Sequence, residues 1–304
     1  MRVAVVTDRL DNRGNPTNGV RVAKAFGRLG HEVRVLEHAQ VRPEAAEPFD
    51  LILAMGTILY PENLHQVELI ARTKRPETTF ALWYFDACHP AWPHSAAKAA
   101  ALRAVVKYLD WLVMTDHSYP WESEARNFMR LNQGIDPDDF TGEPAWAGPR
   151  FSDVIFTGGF KGPHEARGGL LAKVADRFSL AVFGRNSVAR VYGADFFAAY
   201  QLARVALVPA PPPPTDREYW SNRIYLAAAT GTPCVVGYVP GIEDHYEPGR
   251  EILAYRTDEE CLEAIASLVA DPWRREEMGR AARERTLREH TYINRVQTLL
   301  EALR

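Results

Sequence analysis

The fold is decided by one stretch of this 304-residue chain, from Glu218 to Gly249. It reads Glu218-Tyr-Trp-Ser221-Asn222-Arg223, an apolar run to Ala229, Thr230-Gly231-Thr232-Pro233-Cys-Val-Val236, Pro240-Gly241-Ile-Glu243 and Glu247-Pro248-Gly249. A polar, charged segment opens a helix. A Gly-Thr-Pro turn follows, and then a buried strand. That order sets hydroxyl, amide and guanidinium groups at a helix N-terminus, where unpaired backbone N–H groups and the helix dipole favour an anion. At the edge of an α/β sheet, such an anion belongs to a nucleotide or a phosphate.

The same alternation extends on both sides. Near the start, Val3–Val6 is a short apolar strand, and Asn18 opens a helix with Val22, Ala23, Phe26 and Leu29 on its apolar face. Gly30 stands where a left-handed residue ends a helix. Val33 and Val35 begin the next strand, and further strands are expected at 51–55, 80–85 and 111–115. Helices are expected over 95–108 and 121–129. Gly134, Pro137, Gly142, Pro144, Gly148 and Pro149 then interrupt the pattern as a linker. A second alternation places strands at 154–157, 180–183, 205–208, 233–236 and 252–255, with helices near 165–177, 195–204 and 220–229. Thr257 with Glu260 fits a capping box, Asp271-Pro272 a cap followed by a first-turn proline, and Thr291 the cap of a last helix. Two βα runs joined by one linker predict an α/β protein of two Rossmann-like parallel-sheet domains. The expected division is 1–145, 151–290, and a terminal helix over 291–304 that packs back toward the first domain.

Composition narrows the function classes. The net charge is -3, and residues 1–145 carry 16 Lys and Arg against 19 Asp and Glu, while the remainder carries 20 of each. Neither half is a basic body built to neutralise many phosphates. Cys88, Cys234 and Cys261 have no metal-ligand or redox spacing, which fits isolated thiols in a reducing cytosol. No apolar run approaches the roughly 20 residues that span a bilayer. A cytoplasmic location and no metal site are expected.

Several motifs resemble those of group 1 glycosyltransferases, and of the CgeB/YkvP-like branch in particular. Pro240-Gly241-Ile-Glu-Asp-His-Tyr-Glu247-Pro248-Gly249-Arg-Glu251 is similar to that family's Gly-(Ile/Leu)-Glu…Phe-Glu-Pro-Gly-(Lys/Arg)-Glu pattern. Asp271-Pro-Trp-Arg-Arg-Glu…Gly279-Arg…Arg283-Glu-Arg285…Glu289-His290-Thr291-Tyr292…Arg295 resembles its C-terminal helices. Leu29-Gly30-His31-Glu32-Val33 and Asn132-Gln-Gly134-Ile-Asp136…Phe140 resemble, more loosely, its first-domain turn and domain joint. The resemblance implies the GT-B architecture, with two such domains facing a cleft. It implies a metal-independent sugar transfer from a nucleotide-diphosphate sugar (UDP- or dTDP-linked) to an acceptor hydroxyl, with retention at the anomeric carbon. No cofactor beyond that co-substrate is implied.

The resemblance also assigns roles. Gly19 would approach the donor diphosphate. Gly159, Lys161, Arg167 and Arg185 would hold it, with Ser221, Asn222, Arg223 and Gly241, and Glu218 would contact the donor sugar. One position departs from the pattern: the second carboxylate of Glu-x7-Glu, which holds the donor ribose, falls on Leu226, and leucine accepts no hydrogen bond. Either the ribose is held elsewhere, or it is a deoxyribose, or the donor is not a nucleotide sugar; the loss also fits a non-catalytic binding protein.

On the acceptor side, Trp83-Tyr84-Phe85-Asp86-Ala-Cys88-His89-Pro90-Ala-Trp92-Pro93-His94 sets a carboxylate and imidazoles among aromatic rings. Asp86, then His89, is the candidate to position or deprotonate an acceptor. Trp83, Tyr84 and Trp92 offer stacking faces, and His117 follows another strand end. The plainer alternatives are core packing for the rings, helix capping for Ser221, and solvated surface charge for Lys161 and Arg167. The acceptor itself is left open among a small molecule, a glycan, a lipid, a protein and a modified DNA base.

Overall fold

The computed structural model describes the whole chain except residues 12–15, 39–40, 42–47, 60–62, 94, 116, 118, 143–149, 162–164, 185–186, 188–190, 192, 211–218 and 220. Two compact units result. Met1–Asp136 joins Tyr292–Arg304 in the first, and Pro137–Thr291 forms the second.

The first unit holds a six-stranded sheet in the order β2-β1-β3-β4-β5-β6. The strands are β1 (Arg2–Thr7), β2 (Glu32–Glu37), β3 (Leu51–Met55), β4 (Thr79–Tyr84), β5 (Trp111–Met114) and β6 (Phe128–Arg130). Every pairing is parallel. The inner strands β1, β3, β4 and β5 are buried on both faces because helices cover both. Val3, Val5, Leu51 and Leu53 point to one face and meet Phe26 of α1 (Asn18–Arg28) and Tyr292, Val296 and Leu299 of α9 (Tyr292–Ala302). Ala4, Val6, Ile52, Phe80 and Leu82 point to the other, against Val67 and Ile70 of α2 (Leu64–Thr73) and Leu102 of α3 (Ala96–Val105). Arg295 of α9 donates from Nε to the Asn132 and Gln133 carbonyls at 3.1 and 3.2 Å. The Tyr292 N–H donates to the Ile135 carbonyl.

A helix over 121–129 does not form. Trp121–Ser123 is one 3₁₀ turn, and Phe128–Arg130 pairs with Leu112–Met114 as the last strand. Trp121 is wholly buried and donates from its indole to the Cys88 carbonyl at 2.7 Å. The open edge of β5 then takes up the segment that follows. Tertiary pairing here overrides local helical preference.

The second unit holds β7 (Ser152–Thr157), β8 (Leu180–Phe183), β9 (Ala203–Val208), β10 (Cys234–Gly237) and β11 (Ile252–Tyr255), all parallel, in the order β11-β10-β9-β7-β8. The first strand thus lies between the second and the third. The chain crosses from one side of the sheet to the other between β7 and β9, and ligands bind beyond the carboxyl ends at such a switch point. Helices α4 (Glu165–Ala175), α5 (Gly193–Gln201), α6 (Arg223–Ala229), α7 (Asp258–Ala270) and α8 (Pro272–Glu289) complete the unit. The caps at 257 and 271 form: Thr257 accepts from the Glu260 N–H at 3.1 Å and Asp271 from the Arg274 N–H at 3.0 Å. No helix among the described residues is long and apolar enough to cross a membrane.

The loops after β7 and β8 touch through backbone alone. A Cβ added at Gly184 would lie 2.5 Å from the Gly158 carbonyl oxygen, and Gly184 holds a φ of 136° that L-residues rarely adopt. Both obstacles are backbone, so no side chain can move to admit a methyl group. Gly184→Ala is expected to cost about 2–3 kcal/mol in chemical denaturation; a loss under 0.5 kcal/mol, on the order of ordinary surface scatter, would refute this packing.

Candidate functional site

The second unit gathers its cations at the switch point. Arg167, in the first turn of α4, is only 8% exposed. Its Nη1 donates to the Gly159 carbonyl just past β7, and its Nη2 to the Ala210 carbonyl just past β9, each at 3.4 Å. One guanidinium therefore bridges the two strand ends between which the sheet reverses. Its Nε is buried with no hydrogen-bond partner.

Arg223 opens α6 and lies against the same loop. A Cβ at Gly158 would meet its guanidinium at 3.0–3.1 Å, so glycine leaves the room that this side chain occupies. Its Nη1 donates to the Ser221 hydroxyl at 3.0 Å. Neither arginine forms an ion pair with a carboxylate among the described residues. Burial first, and the Arg223 charge second, push Arg167 down to about 10. The shift corresponds to a cost on the order of 3 kcal/mol for holding that cation in place. Two partly desolvated guanidinium groups with unused N–H bonds form a site for an anion with several oxygens, such as a phosphate.

The remaining donor-side candidates fall around this pair with different roles. Gly159 supplies a carbonyl, and Lys161 is exposed on the same loop. Gly241 follows β10 at the same sheet edge and precedes a 3₁₀ turn. Ser221 and Asn222 stand directly before α6. The helix begins only at Arg223, its N-cap is Asn222, and no side chain caps it. With seven residues, α6 contributes little dipole. The positive charge comes from the guanidinium groups, and Ser221 serves by positioning Arg223. Arg185 and Glu218 lie outside the described residues.

Two connections had no sequence signal of their own. Tyr200 of α5 is buried, and its hydroxyl shares a 2.6 Å hydrogen bond with Thr157 at the end of β7. Burial pushes its phenol up to about 12, partly countered by the Thr157 hydrogen bond and the Arg223 charge. The Gly-Arg-Glu segment also proves structural. Buried Glu251 accepts from the Glu247 N–H at 2.8 Å and from Arg285 Nη1 at 3.2 Å. Arg283 donates to the Phe140 and Gly142 carbonyls at 2.8 and 3.0 Å.

In the first unit, the candidates separate. Trp83 is 0% exposed, donates to the Leu131 carbonyl at 3.1 Å and packs edge-on to Tyr292. Tyr84 is buried against Gly56, where a Cβ would stand 2.8 Å from its ring. Both are core residues, a correction to their reading as acceptor contacts; inward-facing positions of a strand covered on both sides are buried whatever their chemistry. Trp92 is also buried, with the His89 ring stacked on it at 4.8 Å. Gly19 is set by packing, since a Cβ there would lie 2.7 Å from Thr7 Cβ.

Asp86 and His89 stand on the loop after β4, and His117 follows β5. Asp86 is exposed and paired with Lys98 Nζ at 2.8 Å. His89 Nδ1 accepts from the Ala91 N–H at 3.1 Å. A neutral His89 therefore carries its proton on Nε2 and presents a donor there. It can orient an acceptor hydroxyl but does not present a base at that atom. His117 lies over Phe128, with Glu122 3.9 Å from its Nε2.

With this geometry in view, the relatives can be set beside it. A family model described as "Glycosyl transferase-like" matches residues 167–301, from the buried arginine to the last helix. Solved structures match nearly the whole chain. A sucrose-phosphate synthase from Thermosynechococcus elongatus is 12% identical, with 99% of this chain and 98% of that one covered and a TM-score of 0.70. An α-glucosyltransferase (AGT) in complex with UDP is 10% identical, with 100% and 99% covered and a TM-score of 0.74. AviGT4, a glycosyltransferase involved in avilamycin A biosynthesis, is 14% identical, with 99% and 96% covered and a TM-score of 0.60. No curated protein matches in sequence. The fold is that of the GT-B glycosyltransferases.

Arg167 yields a test that needs no activity assay. The folded state lowers its pKa from the ordinary guanidinium range to about 10. Unfolding therefore takes up a proton between those values, so its contribution to stability rises with pH through that window and its full penalty stands below it. Arg167→Met is expected to be more stable than wild type at pH 8, by about 1–3 kcal/mol. The gap should narrow above pH 10 in urea titrations, and the variant should lose phosphate and nucleotide binding. A variant less stable than wild type at pH 8 would show that the cation supports the fold instead.

Proposed function

We propose that the protein is a metal-independent glycosyltransferase that moves a sugar from a nucleotide-diphosphate donor to an acceptor hydroxyl, with retention. The observation that carries this reading is the pair Arg167 and Arg223, converging at the switch point of the second sheet with no carboxylate ion pair among the described residues. A diphosphate leaving group supplies the missing negative charge. As the bond from the anomeric carbon to the phosphate oxygen breaks, charge grows on that oxygen, and two guanidinium groups stabilise it more than they stabilise the intact donor. The acceptor oxygen forms the new bond to the same carbon from the same face. Its proton passes to the departing phosphate, so no protein nucleophile is needed. His89 Nε2 and Asp86 are assigned to orienting the acceptor hydroxyl.

Leu226 bears on the choice of donor. It replaces the carboxylate that the resemblance assigns to the ribose, which favours a dTDP-linked sugar, whose 2′-hydroxyl is absent. The acceptor class stays open. The α-glucosyltransferase structures include complexes with UDP and DNA containing a HMU base, which makes a modified DNA base one option. The acidic balance of residues 1–145 counts against extensive duplex contact.

Thermal shift with UDP, GDP, ADP, CMP, dTDP and dUDP tests the donor site. A ligand at a hundred times its Kd adds about 2.7 kcal/mol to apparent stability. One nucleoside diphosphate is expected to do so, dTDP ahead of UDP, and Arg223→Ala is expected to weaken it about 10–100-fold, as for a lost charge-assisted hydrogen bond. Slow hydrolysis of the matching nucleotide sugar should accompany binding. No shift with any diphosphate would remove the donor site, and binding without hydrolysis or transfer would mark a non-catalytic binding protein.

A further inference from the structure

The second unit has another cavity, at the opposite end of its sheet from Arg167. It encloses ≈ 320 Å³ beside the amino ends of β9 and β10, and its lining includes Arg150, Thr232, Trp273, Arg275 and Glu276. From Ala203 in this lining, β9 runs six residues to Val208, about 20 Å toward the donor edge. Nothing in the proposed transfer uses the cavity.

Its chemistry is specific. Trp273 is 84% exposed and brings an indole to the rim of this space. Arg150 and Arg275 flank the same space, with Arg204 near enough that the charges oppose one another. Burial first, and these neighbouring cations next, hold both Arg150 and Arg275 below the ordinary guanidinium range. Carboxylates partly offset these cations: Glu276 of the lining acts on Arg150 and pairs with Arg280 at 2.7 Å, Asp153 pairs with Arg204 at 3.1 Å, and Asp271 acts on Arg275. Arg275 spends Nη1 on the Leu268 and Val269 carbonyls at the end of α7, leaving its other N–H groups without a partner among the described residues. An indole face beside paired guanidinium groups fits a planar ring carrying a terminal anion.

The cavity is also connected to the donor edge. Thr232 in its lining donates to the Tyr200 carbonyl at 2.7 Å, and the Tyr200 hydroxyl bonds Thr157, the residue before Gly158. Thr230, directly after α6, donates to Thr232 at 2.9 Å. Tyr200 thus links Thr232 in the lining to Thr157 at the end of β7.

We propose that this cavity is a second ligand site, taking a small aromatic phosphate or carboxylate, and that its occupancy is felt at the Thr157–Phe160 loop through Tyr200. Protein labelled with fluorotryptophan tests it, the Trp273 fluorine resonance being assigned by its loss in Trp273→Phe. Phenyl phosphate should move that resonance saturably, with inorganic phosphate and benzyl alcohol each at least about tenfold weaker. Arg150→Gln should weaken phenyl phosphate about tenfold. Bound phenyl phosphate should change amide hydrogen exchange across Thr157–Phe160, and Tyr200→Phe should abolish that change while the Trp273 shift persists. An unmoved Trp273 resonance, or inorganic phosphate binding as well as phenyl phosphate, would overturn the site. Unchanged exchange would overturn the coupling. All readings are made without nucleotide, so they stand or fall apart from the donor assignment.

Discussion

The arrangement depends on one buried cation. Arg167 lies over the switch point of the second sheet, tied to the carbonyls beyond β7 and β9, with no carboxylate ion pair among the described residues. A buried charge without a counter-ion is costly, and proteins retain such a group where a ligand completes it. Around it, the local structure is shaped to fit: Gly158 leaves space for Arg223, Gly184 lets two loops meet through backbone, and Ser221 holds the second guanidinium in place. The parallel topology directs both strand ends to one edge, so residues distant in sequence supply one anion site.

Much of this was legible in the sequence. Strands β3, β8 and β11 begin and end where the apolar runs do, because β-branched and apolar residues bounded by Gly, Pro and charged residues leave little choice of register. The caps at Thr257 and Asp271 could be read because each rests on residues three apart. The position of Arg167 near a strand's carboxyl end could be read because it closely follows the apolar run that ends at Thr157. What was not legible depended on tertiary partners. The segment after Trp121 becomes a strand only because β5 offers an open edge. Trp83 and Tyr84 resemble binding residues by composition, yet helices on both sheet faces bury them. The hydrogen bonds of Tyr200 join residues 43 and 32 positions apart and leave no local trace.

The motifs that carry the family resemblance divide by physical role. Glu251, Arg283 and Arg285 hold turns and helices together, through a buried carboxylate and backbone carbonyls. They preserve the frame rather than the chemistry. In the proposed function, Arg167 and Arg223 bear on the chemistry, and Leu226 on the choice of nucleotide. A family pattern can therefore persist through its frame while the ligand changes, and so can a fold shared at 10–14% identity.

The most direct measurement is diffraction from crystals grown with the nucleoside diphosphate that stabilises the protein. The account predicts density for the diphosphate at the carboxyl edge of β7 and β9, with phosphate oxygens within hydrogen-bonding distance of both Arg167 and Arg223. A diphosphate bound elsewhere in the protein, with those two guanidinium groups in contact only with solvent, would contradict it.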